Sequence, residues 1–225
     1  HFSNTAKHPH RVEIQIEDLD LLSWLNSQKN TVKIFWEDRA KNFMIAGIGA
    51  ADSISAKEDA NHYSIISHIE QCLTSNFPKL QYYGGFCFNP TNPPQNEWKN
   101  WGRGRFVLPS IEIRKDGNVT TLACNIFLNK DFATTLKLAT HQLLNLQDPK
   151  NITTTPITSP LSSLNIPNEQ TWKACAGDII NSIDQGKFEK VVLARCVRLD
   201  FKNTVNPFLL MSHLRKTASN CFCFI

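Results

Sequence analysis

Short segments in which polar and apolar residues alternate recur through the first half of this chain, and polar turns join them. The segment Arg11–Glu17 alternates as a half-buried strand does. Thr31–Trp36 and Asn42–Gly49 predict two further strands, and the polar turn Glu37–Lys41 between them predicts a hairpin. Strands in hairpin order with interspersed helices, rather than strictly alternating strands and helices, indicate an α+β fold with a mainly antiparallel sheet.

The remaining elements follow from periodicity and from start and stop signals. Apolar residues at helical spacing and end signals predict helices over Asp18–Gln28, Ser64–Ser75, Lys130–Asn145, from a cap at Thr171 to Gly186, and from Asn206-Pro207 onward. Further strands are predicted over Tyr82–Pro90, Arg105–Pro109, Ile111–Arg114, Val119–Phe127, Phe188–Phe201 and Asn220–Ile225. The paired glycines Gly84 and Gly85 indicate a bulge or a close approach of another backbone.

Composition shifts predict three segments along the chain. Residues 1–150 form a β-rich part, and residues 151–167 contain three prolines with many serines and threonines, which indicates an extended connector, either a domain boundary or a surface crossing within one domain. Residues 168–225 form the start of a second part that contains the strand with Lys190. The chain stops inside an apolar alternating run, so we expect a truncation in mid-strand at residue 225.

Charge and cysteine usage limit the class of protein. The 24 basic and 20 acidic residues give a net charge of +4, which is too small to favour a nucleic-acid partner. No stretch approaches the ~20 apolar residues of a membrane-spanning helix. Seven cysteines without a regular framework fit a reducing cytoplasm, and because no CxxC or Cys/His cluster accompanies Cys221 and Cys223, we expect both thiols to pack in the core.

Lys190 is the candidate catalytic residue. In the predicted strand Phe188–Phe201 it shares one face with the short or apolar side chains of Val192, Ala194 and Cys196, so a ligand could lie on this face with the lysine at its edge. Desolvation lowers the pKa of a lysine from its free value of roughly 10.4, and a fall of about three units leaves a useful neutral fraction near pH 7. The alternative is a lysine at a strand end whose amine reaches bulk water.

Several segments, in order and with rough spacing, resemble the chorismate-binding enzymes and, among them, the isochorismate synthases. The segment Phe188–Arg195 is similar to the signature strand of that family. The other matching segments are Phe35–Arg39, Ala46–Asp52, Tyr83–Asn89, Trp98–Pro109 and Asn220–Ile225. The resemblance covers nearly the whole chain and about the first half of a family member. It implies a mainly antiparallel β-sandwich core flanked by helices, of the type found in anthranilate synthase component I, which is incomplete in this chain.

The resemblance also implies a chemistry. Family members that add water to chorismate have a lysine at the position of Lys190, whereas the ammonia-using anthranilate synthases typically have glutamine there and a Ser-Gln-Arg ending. This chain has Lys190 and the ending Ala194-Arg195, which favours water as the nucleophile. The resemblance implies that Lys190 is the general base, that chorismate is the substrate and that Mg2+ is the cofactor. The acid and the metal-binding glutamates of the family lie beyond residue 225, so we expect residues 1–225 alone to be inactive.

Two other functions stay open at this point. A salicylate synthase of the same family would form isochorismate and then remove pyruvate from it. A non-catalytic binding or regulatory domain would leave Lys190 without a chemical role. Whether the product would feed menaquinone or siderophore synthesis also stays open, as does the oligomeric state.

Overall fold

The computed structural model of this chain describes residues 9–56, 62–73, 76–88, 98–127, 132–152, 158–218 and 220–225. The chain forms two compact units. Unit 1 contains residues 1–152 and 211–225, and unit 2 contains residues 153–210. The helix Pro207–Thr217 therefore begins in unit 2 and ends in unit 1.

The helices and strands follow in chain order. The strands are β1 (Pro9–Ile16), β2 (Lys33–Glu37), β3 (Phe43–Ile48), β4 (Asp52–Ser55), β5 (Tyr83–Phe86), β6 (Gly104–Leu108), β7 (Ile111–Asp116), β8 (Val119–Phe127), β9 (Ser162–Ile166), β10 (Cys196–Asp200) and β11 (Cys223–Phe224). The helices are α1 (Leu21–Ser27), α2 (His62–Cys72), α3 (Phe132–Leu144), α4 (Glu169–Asp184) and α5 (Pro207–Thr217).

The larger sheet of unit 1 has the strand order β1-β8-β7-β3-β2-β11, and each neighbouring pair is antiparallel. Residues directly opposite one another share a face, so Phe35, Ala46 and Ile113 lie side by side on three neighbouring strands. All three are buried. Helix α1 contacts β2 and β3, and helix α3 contacts β8. This apolar layer is the core of unit 1.

Helix α1 is fixed at its start by a side-chain cap. The Asp20 carboxylate accepts a hydrogen bond from the Ser23 backbone N–H at 2.9 Å, which satisfies one of the donors that a helix start leaves free. The following turns bury Leu21, Leu22, Trp24 and Leu25. These apolar side chains, spaced to face one side, explain why the periodicity predicted this helix correctly.

The opposite face of the same sheet contains a buried ionic cluster. Arg11 and Arg114 both donate hydrogen bonds to Glu112 Oε1, at 3.1 and 3.2 Å, and the Glu112 side chain is fully buried. Burial opposes the charge of Arg11, but Glu112 and Glu13 outweigh it, so the pKa of Arg11 is raised. Arg114 also donates to the carbonyl of Lys79 and to the Tyr83 hydroxyl, which ties this face to the segment that precedes β5 and to β5 itself.

The smaller sheet of unit 1 has the order β4-β6-β5 and is also antiparallel. Strand β5 contains the two glycines. A Cβ atom on Gly84 would lie 2.7 Å from the Phe106 Cα atom, which is too close, whereas a Cβ atom on Gly85 would meet nothing within 4 Å. The predicted close backbone approach is therefore confirmed at Gly84 and does not apply to Gly85.

Unit 2 contains helix α4, the two-stranded ribbon of β9 and β10, and the start of α5. Helix α4 begins after Asn168, whose side-chain oxygen accepts a hydrogen bond from the Thr171 N–H at 2.9 Å. The predicted cap at Thr171 was wrong, because Asn168 occupies that position. The predicted end at Gly186 is confirmed: Gly186 has φ +70° and its N–H bonds to the Ile183 carbonyl.

The predicted fold class is confirmed, since helices are combined with antiparallel sheets. Three details differ. The predicted strand Phe188–Phe201 was wrong over residues 188–195, which lie outside any strand, and right over Cys196–Asp200. The predicted connector 151–167 contains strand β9. The predicted segment 168–225 is divided, because its last fifteen residues, 211–225, belong to unit 1.

Parts of four predicted elements lie outside the described residues: positions 74–75 of the helix Ser64–Ser75, positions 89–90 of the strand after Tyr82, positions 130–131 before α3, and positions 153–157 of the connector. Within the part of the chain that the structure describes, no helix is both long enough and apolar enough to cross a membrane.

Candidate catalytic segment around Lys190

Lys190 lies between the end of α4 and the start of β10. After Gly186 ends the helix, residues 187–195 continue without regular hydrogen-bonded structure, and β10 begins at Cys196. The run Val191-Val192-Leu193 has high strand propensity, but among the described residues it has no partner strand. Lys190 therefore lies in a connection without regular secondary structure, before a strand and not within one.

The ribbon that follows places part of the predicted face as expected. Cys196 is opposite Ile166 and Arg198 is opposite Leu164, so these four side chains share one face of the ribbon. Arg198 Nε lies 3.3 Å from an Asp200 oxygen, and the Ser162 hydroxyl donates to the same carboxylate at 2.7 Å. The Ser162 hydrogen bond and then Arg198 lower the pKa of Asp200.

The side chains around Lys190 are exposed. Lys190 itself is exposed, Val192 is 80% exposed, and Ala194 and Cys196 are exposed as well. The described residues of this chain therefore do not supply the apolar surroundings that would make the lysine a base. The small side chains that were predicted to line a ligand surface remain accessible around it, so the segment offers both an amine and an uncovered apolar surface.

Other apolar side chains of unit 2 are exposed too. Helix α4 has no buried residue, and both strands of the ribbon are exposed along their length. The exposed apolar residues include Leu161, Leu164, Ile166, Ile180, Phe188, Val192, Val197 and Leu199. So much uncovered apolar surface around one segment is unusual for a domain that functions alone.

A second group of reactive side chains was not predicted from the sequence. Asp52 at the start of β4 and His68 and Cys72 on α2 have ligand atoms that all lie within 4.8 Å of one another. The signal was present, because a histidine and a cysteine four residues apart on a predicted helix share a face.

Residues 3–225 match the family model described as "Chorismate binding enzyme". Because this match covers nearly all of its 225 residues, the chain belongs to the chorismate-binding enzyme family. The resemblance that the sequence motifs indicated is thereby confirmed.

Relatives within this family are isochorismate synthases. The chain is 25% identical over 213 residues to isochorismate synthase MenF of Escherichia coli, covering 91% of this chain and 43% of MenF. It is 24% identical to MenF of Haemophilus influenzae, covering 96% of this chain and 44% of that protein. The salicylate biosynthesis isochorismate synthase of Pseudomonas aeruginosa is 28% identical over 136 residues, covering 59% of this chain and 28% of that protein.

A solved structure shows the same fold. The structure of the menaquinone-specific isochorismate synthase MenF from Escherichia coli superimposes with a TM-score of 0.74 at 22% sequence identity, and covers 97% of this chain and 47% of that one. The chain thus spans less than half the length of the MenF proteins that it matches.

Proposed function

We propose that this chain is part of a cytoplasmic isochorismate synthase, an isomerase that converts chorismate to isochorismate, with Lys190 as the general base. The observation that carries the proposal is the similarity to isochorismate synthases over more than nine-tenths of the chain. Lysine at position 190 agrees with it, because the family members that use water as nucleophile are expected to have lysine there.

The reaction needs one base and one acid. The neutral Lys190 amine takes a proton from a water molecule, whose oxygen forms a bond to C2 of the ring. The C4 hydroxyl leaves with a proton from an acid, so one water is added, one is released, and the product is an isomer of the substrate. A correctly placed base of this kind typically contributes a factor of about 10²–10⁴ in rate.

Lys190 requires a covered environment for this role. An amine in bulk water is protonated at neutral pH and cannot accept a proton, whereas burial against apolar groups disfavours the cation. Lys190 and the apolar side chains near it are exposed in this chain. We therefore propose that further polypeptide covers unit 2 in the active enzyme, and that residues 1–225 alone do not turn over chorismate.

Mg2+ is the proposed cofactor, and the described residues do not fit it. The one group of three possible ligand residues found among them combines a carboxylate with an imidazole and a thiol, whereas Mg2+ prefers an all-oxygen shell. The proposed Mg2+ ligands are glutamates outside residues 1–225.

The test is product analysis in labelled water. The full-length protein is incubated with chorismate and Mg2+ in water enriched in oxygen-18, and the products are separated by chromatography and weighed by mass spectrometry. We expect isochorismate containing one labelled oxygen from solvent. Recovered chorismate with no new product would contradict the proposal, and so would isochorismate without label.

The same experiment separates the second candidate. A salicylate synthase would release pyruvate and salicylate, and the name of the Pseudomonas aeruginosa relative connects an isochorismate synthase with salicylate biosynthesis. That relative is itself named an isochorismate synthase, so we favour isochorismate as the final product. Stoichiometric pyruvate would assign this chain to the salicylate synthases instead.

A further inference from the structure

Asp52, His68 and Cys72 bring three different metal-binding groups to one point in unit 1. His68 and Cys72 are four residues apart on α2 and therefore lie on the same side of the helix. Asp52 begins β4. One carboxylate oxygen, one imidazole nitrogen and the Cys72 Sγ atom all lie within 4.8 Å of one another. A bound metal ion needs its ligands to converge in this way.

The surroundings of the three groups favour a defined geometry. Cys72 is buried, and Asp52 and His68 are partly buried. The Tyr82 hydroxyl donates a hydrogen bond to Asp52 Oδ2 at 2.7 Å, which holds the carboxylate in one orientation. Carboxylate ligands in metal sites are commonly oriented by such a hydrogen bond from a neighbouring residue.

The environment of the Cys72 thiol does not favour its reaction as a nucleophile. Burial and the nearby Asp52 raise the pKa of Cys72, although its hydrogen bond with Tyr82 works in the opposite direction. A thiol of this kind reacts slowly with oxidants and electrophiles. A bound metal ion would favour the thiolate form of Cys72.

We propose that Asp52, His68 and Cys72 form a binding site for a divalent first-row transition metal, with Zn2+ as the best match. Thiolate, imidazole and carboxylate together are the ligands that Zn2+ accepts, usually in a four-coordinate arrangement. Three protein ligands leave a fourth position for water or another oxygen donor. The three residues belong to unit 1, whereas Lys190 belongs to unit 2.

The site would stabilise helix α2 against the small sheet. Among the eleven residues of this helix only Ile65 and Cys72 are buried, so little apolar contact holds it in place. A metal ion bound by two residues of α2 and one of β4 would connect the helix directly to the strand. Binding of this kind raises the stability of the folded state.

The test uses the intact chain, freed of metal with a chelator and titrated with Co2+ as a spectroscopic substitute for Zn2+. We expect one equivalent of Co2+ to produce a thiolate-to-cobalt charge-transfer band together with visible absorption typical of four-coordinate cobalt. Zn2+ is expected to abolish both signals and to raise the melting temperature of the chain. Failure of the unaltered chain to bind one equivalent of Co2+ with these bands would overturn the proposal.

Variants assign the ligands. Cys72→Ser is expected to remove the charge-transfer band, and His68→Ala to weaken Co2+ binding by at least about 100-fold, more than the loss of a supporting residue typically costs. The matched controls are Cys175→Ser and His141→Ala, which alter an exposed cysteine and an exposed histidine elsewhere and are expected to change neither the band nor the affinity. Loss of the band in Cys175→Ser but not in Cys72→Ser would contradict the assignment.

A milder variant covers the case in which those changes prevent folding. Tyr82→Phe removes only the hydroxyl that bonds to Asp52 and to Cys72, and is expected to weaken Co2+ binding about 10–100-fold while the charge-transfer band at saturation is retained. Unchanged affinity in a folded Tyr82→Phe chain would contradict the role of the Tyr82 hydroxyl in orienting the metal ligands.

Discussion

Arg215 holds the buried carboxylate of Glu37 with two hydrogen bonds. Its Nε atom donates to Glu37 Oε2 at 2.8 Å, and its Nη2 atom donates to Glu37 Oε1 at 2.5 Å. The Glu37 side chain is 1% exposed, and these hydrogen bonds raise the pKa of Arg215. The pair connects the last turn of α5 to β2 and so fixes the returning segment 211–225 to the sheet of unit 1.

The first prediction concerns this pair. Arg215→Ala would leave the Glu37 carboxylate buried without a cation, which typically costs about 3–5 kcal/mol. Because the Arg215 side chain is 22% exposed and water can enter, we expect the lower end, about 3 kcal/mol, in the free energy of unfolding measured with urea. Arg215→Lys keeps the charge but cannot form two parallel hydrogen bonds to the carboxylate. We expect it to reduce the free energy of unfolding by less than Arg215→Ala does.

The control for this pair is Lys115→Ala. Lys115 pairs with Asp18, whose side chain is 60% exposed, and exposed pairs contribute roughly 0–1 kcal/mol. Equal reductions in the free energy of unfolding for Arg215→Ala and Lys115→Ala would contradict the claim that Arg215 neutralises a buried Glu37 carboxylate.

The second prediction compares the two adjacent glycines of β5. A methyl group on Gly84 would overlap the backbone of β6, because its Cβ would lie 2.7 Å from the Phe106 Cα atom. We expect Gly84→Ala to reduce the free energy of unfolding by about 1–3 kcal/mol. Gly85→Ala introduces the same methyl group where nothing lies within 4 Å, and should stay within about 0.5 kcal/mol of the parent chain. Equal effects in a urea titration would refute the close approach.

The third prediction is a pH dependence that arises from Glu13. A hydrogen bond from Lys79 lowers the pKa of Glu13 below its ordinary value of 4.5, burial opposes this, and Arg11 adds to the lowering. Since the folded pKa is below the unfolded one, the stabilisation is present above pH 4.5 and is lost as the pH falls through the folded pKa.

The measurement is urea unfolding at a series of pH values from about 6 down to about 3, the range in which such carboxylates are protonated. Glu13→Gln cannot be protonated, so the difference in stability between the parent and this variant should shrink as the pH falls. A difference that stays constant over the whole series would show that Glu13 titrates equally in both states.

The fold could be predicted where burial produces a clear pattern. Helix α1 has one covered side, so its apolar residues recur with the helical period. In β1 the alternation predicted the strand but not which side is covered, because Arg11 is buried whereas Val12 and Ile14 are exposed. Strands β4 and β9 have no such apolar pattern in their sequences. Asp52–Ser55 is mostly polar, and Ser162–Ile166 is exposed throughout, so pairing with β6 and with β10 defines them rather than composition.

Around Lys190 the sequence predicted a strand that the structure does not have. Val191, Val192 and Leu193 favour a strand through their side chains, but a strand also requires a partner for its backbone hydrogen bonds. Among the described residues none pairs with positions 188–195. The sequence motif identified the family correctly, while the local backbone depends on neighbours that the motif does not contain.

The cluster of Asp52, His68 and Cys72 could be predicted only in part. The spacing of His68 and Cys72 on one helix was readable from the sequence, but the approach of Asp52 depends on how α2 lies against β4. Such contacts between elements that are distant in sequence arise from tertiary packing. A single sequence without a known metal motif contains no direct record of them.

The most direct test of Lys190 as the general base replaces it with alanine in the full-length protein and measures chorismate turnover. We expect kcat to fall by at least about 100-fold, because a general base is removed. Lys187→Ala is the matched control, since it removes another exposed lysine three residues earlier and should leave kcat unchanged. Turnover by Lys190→Ala equal to that of the parent and of Lys187→Ala would contradict the assignment of Lys190 as the base.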